Sequence, residues 1–172
     1  MFEFCPSCGK KDIVPAGPKE LYCNSCSFSY FHNVAAAVVA ILELDGKVLL
    51  IRRAKDPGKG KLDLPGGFVD PKENAEEAIK REVREELNVD LESVNYIGSS
   101  PNIYEYKGVT YQTCDVFFYA PINAPPTDSD KREVAELLLM EPAEIPLDEL
   151  AFVSTRTVLS RFVAARADHR RQ

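Results

Sequence analysis

Residues 64–89 read LPGGFVDPKENAEEAIKREVREELNV, and this stretch decides the fold. Pro65-Gly66-Gly67 breaks the chain just before a helical pattern. Adjacent glycines let the backbone pass close to a ligand and expose its carbonyls. Residues 74–87 then place Ala75, Ile79, Val83 and Leu87 four apart, on one helix face. Glu82, Glu85 and Glu86 stand at i, i+3 and i+4 beside that apolar stripe. Like charges at this spacing repel and destabilise a bare helix. A hard divalent cation reverses the penalty, and Mg²⁺ suits it, because it keeps waters and bridges carboxylates to phosphates. The competing reading is a solvated helix laced by the favourable pairs Glu76–Lys80 and Glu77–Arg81.

Upstream, residues 34–44 (VAAAVVAILEL) form an apolar run that predicts a buried strand. Asp45-Gly46 is a hairpin signal, and residues 47–53 (KVLLIRR) read as the partner strand. Residues 54–67 read as a loop. Within 52–61, Arg52, Arg53, Lys55, Lys59 and Lys61 against Asp56 give +4. Arg53 or a neighbouring lysine is the candidate for substrate phosphates, set against a plain solvated loop. Downstream, 94–104 and 109–120 predict a strand pair turning at Lys107-Gly108. Tyr104, Tyr106 and Tyr111 surround that turn, and Tyr104 is a candidate to stack on a nucleobase; strand packing is the alternative. Residues 121–130 read as a loop, and 133–140 fit either a helical turn or a strand. A last helix is expected with Ser154 as N-cap and Arg166, His169, Arg170 and Arg171 near its C-terminal end. Cys114 reads as a buried core thiol.

The chain has 172 residues, 45% apolar and 28% charged, which argues against disorder. No apolar run is long enough to predict a transmembrane helix. The start, MFEFCPSCGK, lacks the pattern of a signal peptide, so a cytoplasmic protein is expected. The net charge of −6 disfavours a nucleic-acid partner. Four of five cysteines fall in the first 26 residues. Cys5-Pro-Ser-Cys8 and Cys23-Asn-Ser-Cys26 are two CxxC pairs 14 residues apart, and such pairs close a thiolate tetrahedron around structural zinc. Disulfides and a thioredoxin-like redox motif are the weaker readings. The expected domains are a zinc ribbon over residues 1–33 and a larger domain over 34–172.

The stretch from Gly67 resembles the Nudix box, G-x5-E-x7-R-E-U-x-E-E-x-G-U, where U is aliphatic. Gly67, Glu73, Arg81-Glu82-Val83, Glu85-Glu86 and Val89 fill its places. Six fixed positions coincide by chance about once in 10⁷ starting points. Asn88 stands where the pattern has Gly, and Asn is the next-best left-handed cap. With the cysteine module in front, the chain resembles the NADH pyrophosphatase-like branch. Where that group carries SQPWPFP, residues 99–106 read SSPNIYEY, and the chain has no tryptophan.

The resemblance implies an α+β fold, the Nudix α/β/α sandwich with a mixed sheet, behind a zinc ribbon. It implies Mg²⁺ or Mn²⁺ at Glu82, Glu85, Glu86 and the Gly66 carbonyl, with Gly66 and Gly67 facing substrate. Glu73 and Arg81 are expected to brace the loop, and Glu133 to be the outlying catalytic carboxylate, with Asp128 and Asp130 as rivals. The implied activity is hydrolysis of the diphosphate in a nucleoside diphosphate derivative: ADP-ribose, NADH or a similar dinucleotide, or a nucleotide sugar. The alternative is a non-catalytic nucleotide sensor that docks through the ribbon. A homodimer is a further expectation from the family.

Overall fold

The computed structural model describes residues 2–169. It divides into two compact units, residues 1–34 and 35–172. In the first, β1 (Ile13–Pro15), β2 (Glu20–Cys23) and β3 (Ser29–Phe31) form an antiparallel sheet in the order β1-β2-β3. Such short strands cannot bury a core alone, and only Cys5, Leu21 and Cys23 are buried apolar side chains among the described residues there. The cysteine-bearing turns are fixed locally: Gly9 takes φ 72° after the first pair, and Asp12 accepts from Asn24 Nδ2 at 3.1 Å and Ser25 Oγ at 2.6 Å.

The second unit is built on a mixed sheet. Its strands are β4 (Ala35–Leu44), β5 (Lys47–Arg53), β6 (Leu62–Asp63), β7 (Gly66–Phe68), β8 (Asn95–Tyr106), β9 (Val109–Pro121) and β10 (Val134–Met140). The main order is β10-β5-β4-β9-β8. β4 and β9 run parallel, and the other pairs are antiparallel. Helices α1 (Ala75–Leu87) and α2 (Val153–His169) cover opposite faces. The sheet alternation sorts the core. Val38, Ala40, Leu42, Leu49 and Ile51 pack with Ile79 and Val83 of α1. Ile41, Val48, Leu50 and Phe117 pack with Val158 and Leu159 of α2. Asp45-Gly46 and Lys107-Gly108 both turn through two positive φ angles, as tight two-residue hairpins require.

Three expectations need correcting. Residues 54–67 are not all loop, because β6 and the start of β7 lie inside them. Ser154 is not an N-cap: α2 begins at Val153, and the fully buried Ser154 donates its hydroxyl to Asp115 Oδ2 at 2.5 Å. Cys114 is only partly buried. The ambiguous 133–140 segment resolves as strand β10, paired with β5 from Val134↔Arg53 to Met140↔Val48. Its Glu and Leu residues favour a helix, and cross-strand packing overrides that preference. Arg170 and Arg171 lie outside the described residues, as does the side chain of His169. No described helix is long and apolar enough to cross a membrane.

One departure from regular pairing positions the site. β4 and β5 pair only from Leu42↔Leu49 to Leu44↔Lys47. Beyond that, β4 pairs with β7 and β5 with β6. The strands splay, and the Pro65-Gly66-Gly67 turn enters the gap before feeding α1.

Candidate active site

Helix α1 is fixed at both ends. Asn74 Oδ1 accepts from the Glu77 N–H at 2.8 Å, and Glu77 Oε2 accepts from the Asn74 N–H at 2.9 Å, a reciprocal capping box. At the other end Asn88 adopts φ 53° and its N–H donates to the Arg84 carbonyl at 2.9 Å. With the helix pinned, its acidic face is aimed at the two glycines.

The glycines are there for different reasons. A Cβ on Gly66, at φ 153°, would lie 2.1 Å from the Val38 carbonyl oxygen. Only glycine lets the turn lie against β4. A Cβ on Gly67 would lie 2.4 Å from Glu82 Oε1, so Gly67 makes room for a carboxylate. The Gly66 N–H donates to Glu86 Oε2 at 3.1 Å.

The three helix glutamates differ in depth. Glu86 is 5% exposed, whereas the side chains of Glu82 and Glu85 are 14% and 60% exposed. Burial pushes the Glu86 carboxyl well above the usual glutamate range; the Gly66 N–H opposes, and Glu82, Glu133 and Asp63 add to the push. Burial also raises Glu82, against the pull of Arg81. Arg81 organises this face. It forks onto both oxygens of Glu73 at 3.1 and 2.6 Å. It also donates to Glu82 Oε1 at 2.8 Å, Glu85 Oε2 at 3.2 Å and the Phe68 carbonyl at 3.0 Å. Those hydrogen bonds hold the Glu73 carboxyl below its usual range.

Glu133 comes from the other side of the gap. Its backbone carbonyl accepts from the Ala54 N–H at 2.8 Å, and its carboxylate pairs with Lys55. Glu82, Glu85, Glu86 and Glu133 line both a cavity of about 320 Å³ and a neighbouring one of about 250 Å³. Arg53, Gly66, Gly67 and Tyr104 line the larger one. Arg53 is committed within the wall: it donates to Asp63 Oδ2 at 2.9 Å and the Pro57 carbonyl at 2.7 Å, and it stacks on Phe152 at 4.9 Å. Lys55, half exposed, is the freer cation. Asp130 is chelated by Arg132, which holds its carboxyl down at about 2, and Asp128 turns back onto the Ser129 N–H at 2.8 Å.

Glu82, Glu85, Glu86 and Glu133 around one cavity, with Glu86 deeply buried and given a single N–H donor, suit a hard divalent cation such as Mg²⁺ or Mn²⁺. The N-terminal unit suits a different ion. Cys5, Cys8, Cys23 and Cys26 bring their sulfurs within 4.8 Å of one another, at 3.7 Å for Cys5–Cys26 and 3.8 Å for Cys8–Cys23. A tetrahedron with 2.3 Å zinc–sulfur bonds has edges of about 3.8 Å. Among the described residues only these cysteines form so tight a cluster. The glutamates share a cavity, but Arg81 holds Glu82 and Glu85 aside.

A family model described as the NUDIX domain matches residues 31–162. The chain belongs to the NUDIX family. It is similar to the NAD-capped RNA hydrolase NudC of Stutzerimonas stutzeri, 33% identical over 96 residues, which cover 56% of this chain and 34% of that protein. It is also similar to the NAD-capped RNA hydrolase of Schizosaccharomyces pombe, 33% identical over 115 residues, covering 58% and 31%. The chain thus spans about a third of the length of these curated relatives. The crystal structure of a NUDIX hydrolase from Nitrosomonas europaea superposes with a TM-score of 0.69 at 27% identity, over 97% of this chain and 93% of that one. The Nudix sandwich and the four-cysteine ribbon ahead of it, both expected from the resemblance, are what the structure contains.

Sequence reasoning missed part of the cavity wall: Asp63, Asn102, Thr113, Asp115, Phe152 and Thr155. For Asp63 and Asp115 a signal existed. Each is a carboxylate inside an apolar strand pattern, between Leu62 and Leu64 and two residues before Phe117. A charge placed at a core position needs partners or a function.

Proposed function

We propose that the chain is a divalent-metal-dependent hydrolase that cleaves the diphosphate linkage of a nucleoside diphosphate derivative of the dinucleotide type. The observation that carries this reading is the convergence of Glu82, Glu85, Glu86 and Glu133 on one cavity beside the Gly66-Gly67 turn. The similarity to two NAD-capped RNA hydrolases supports a dinucleotide-type substrate. ADP-ribose, NADH and nucleotide sugars are the compounds to test.

In this reading Glu82, Glu85, Glu86 and the Gly66 carbonyl hold Mg²⁺ or Mn²⁺. When bound, such an ion neutralises diphosphate charge and lowers the pKa of a bound water. Arg81 would hold the turn through Glu73 and the Phe68 carbonyl even where Glu82 and Glu85 served as ion ligands. Lys55 faces the substrate phosphates, and Arg53 stiffens the wall behind it. Glu133 accepts the proton of the attacking water at a carboxylate oxygen. Residues 1–33 form a structural zinc ribbon and residues 34–172 the hydrolase domain. Thiols free for zinc fit a reducing compartment, the cytoplasm.

The test is incubation of purified protein with Mg²⁺ or Mn²⁺ and the panel of compounds, reading the monophosphate product, with Glu85→Gln as the control. Turnover that Glu85→Gln abolishes is the expected result. Tight binding of one compound without turnover would replace the reading with a nucleotide sensor.

A further inference from the structure

Asp63 is an acid of the cavity wall that the proposed chemistry does not use. It ends β6 and is 4% exposed. Its Oδ1 accepts from the Leu64 N–H at 2.9 Å and from Thr155 Oγ1 of α2 at 3.2 Å. Its Oδ2 accepts from Nη1 of Arg53, the last residue of β5, at 2.9 Å. The Arg53 side chain is only 13% exposed, so the pair is shielded from water. Desolvation makes a buried ion pair costly unless further hydrogen bonds complete it. Arg53 completes it by donating Nε to the Pro57 carbonyl at 2.7 Å and by lying against the Phe152 ring at 4.9 Å.

The Pro57 contact carries this pair into the loop between β5 and β6. Backbone bonds close the neck of that loop: the Arg53 N–H donates to the Lys61 carbonyl at 3.0 Å, and the Gly60 N–H to the Arg53 carbonyl at 2.9 Å. Arg52 Nη1 adds a bond to the Gly60 carbonyl at 3.0 Å. These bonds hold the two ends of the loop. Farther out, the Arg53 side chain reaches the Pro57 carbonyl and braces the loop from within. Lys55, two residues before Pro57, lines the cavity and pairs with Glu133. A lysine on a braced loop loses less freedom when it meets a phosphate than one on a loose loop.

We propose that Asp63 is a positioning residue for phosphate binding: it orients the Arg53 guanidinium, Arg53 braces the loop at Pro57, and the loop sets Lys55 beside the cavity. Asp63 acts through Arg53 and not on the substrate. The proposal rests on the reading of Lys55 as the cation that faces the phosphates of the hydrolase site. The position calls for a carboxylate, because Arg53 and the Leu64 N–H can only donate and they meet different oxygens. Asparagine has nearly the same shape but a single acceptor. It serves Arg53 or the Leu64 N–H and turns a donor toward the other. It also removes the charge opposite the guanidinium.

The experiment compares the wild type, Asp63→Asn, Lys55→Ala and the double variant, with Mg²⁺ and ADP-ribose, NADH and a nucleotide sugar as substrates, below the melting temperature of each protein. Asp63→Asn is expected to raise KM about tenfold and to leave kcat within about threefold, the mark of lost substrate binding and not of lost chemistry. Because Asp63 works through the placing of Lys55, the double variant is expected to match Lys55→Ala. Trypsin cleavage after the exposed Lys59, mapped by mass spectrometry, reads the loop without any turnover. It is expected to quicken about tenfold in Asp63→Asn, with cuts elsewhere unchanged. If Asp63→Asn does not fold, Asp63→Asn/Arg53→Met removes both buried charges and takes its place in every comparison. An unchanged KM, KM effects of Asp63→Asn and Lys55→Ala that multiply, or an unchanged Lys59 cut overturns the proposal and leaves the hydrolase reading intact. No turnover of any compound by the wild type sinks the hydrolase reading instead, and a faster Lys59 cut in Asp63→Asn then still supports the brace.

Discussion

The two metal-suited clusters solve one problem in opposite ways. Each gathers four acidic side chains whose charges repel. In the ribbon the four sulfurs already stand within 4.8 Å of one another, so an ion held there would have four ligands and no position left over. In the Nudix domain the carboxylates are spread around a cavity, graded in depth from Glu86 to Glu85, with Arg81 and Lys55 set between them. A closed soft site contributes folding energy. An open hard site tolerates the loss of its ion, because arginine and lysine take up part of the charge, and it keeps room for a phosphate. The sites should therefore fail differently.

The largest effect is expected at the ribbon. Its core is three buried apolar side chains among the described residues, far too few to hold 34 residues folded. Structural zinc supplies about 10–16 kcal/mol in comparable modules. Chelation under reducing conditions is expected to collapse the amide dispersion of residues 5–31 in an NMR spectrum. Ribbon signals that stay dispersed after complete metal removal would break the contrast, as would purified protein carrying less than about half a zinc per chain.

Glu86→Gln should separate activity from stability. Glutamine keeps an oxygen for the Gly66 N–H but brings no charge. Activity is expected to fall roughly 10²–10⁴-fold, the range of a group taking part in the reaction. The metal-free variant should nevertheless be more stable than the metal-free wild type, because the buried charge is gone. The pH dependence follows the same sign. Burial raises the Glu86 carboxyl, opposed by the Gly66 N–H and reinforced by Glu82, Glu133 and Asp63. Between the unfolded glutamate value and the raised folded one, the folded chain binds more protons than the unfolded chain. Stability of the metal-free protein should therefore fall as pH rises through that window, and Glu86→Gln should flatten the slope. Thermal unfolding in EDTA against pH reads both, and an unchanged slope would remove Glu86 as its cause.

The adjacent glycines sharpen the same division at a smaller scale. Gly66→Ala drives a methyl into the backbone of β4, which cannot yield, and is expected to cost roughly 2–4 kcal/mol. Gly67→Ala meets the carboxylate end of Glu82, a side-chain tip that can shift where the β4 backbone cannot. It should leave the melting temperature within a few degrees while weakening Mg²⁺ binding about tenfold. Isothermal titration and thermal melts on the two variants check this, and equal destabilisation would contradict it.

These sites were not equally legible. The cysteine pairs and the helix glutamates announce themselves because their function requires fixed local spacing, and local spacing is what a sequence displays. Asn102, Asp115 and Ser154 meet through strand pairing and a contact 39 residues apart, and no local pattern encodes that. Ser154 shows the cost. A serine at a helix start reads as a cap, because capping and buried hydrogen bonding use the same hydroxyl. Strands β6 and β7 are two and three residues long, too short for any alternation to show.

Asn88 is where the box departs from its pattern, and the smallest effect is expected there. At φ 53° the residue is left-handed, which glycine adopts at no steric cost and asparagine at a modest one. Asn88→Gly relieves that strain but also loosens the unfolded chain, and the two effects oppose each other at a few tenths of a kcal/mol. The melting temperature should move by no more than about 2 °C, with activity and Mg²⁺ affinity unchanged. A large loss of activity would mean that the cap, and not only the acidic face, sets the position of Glu85 and Glu86.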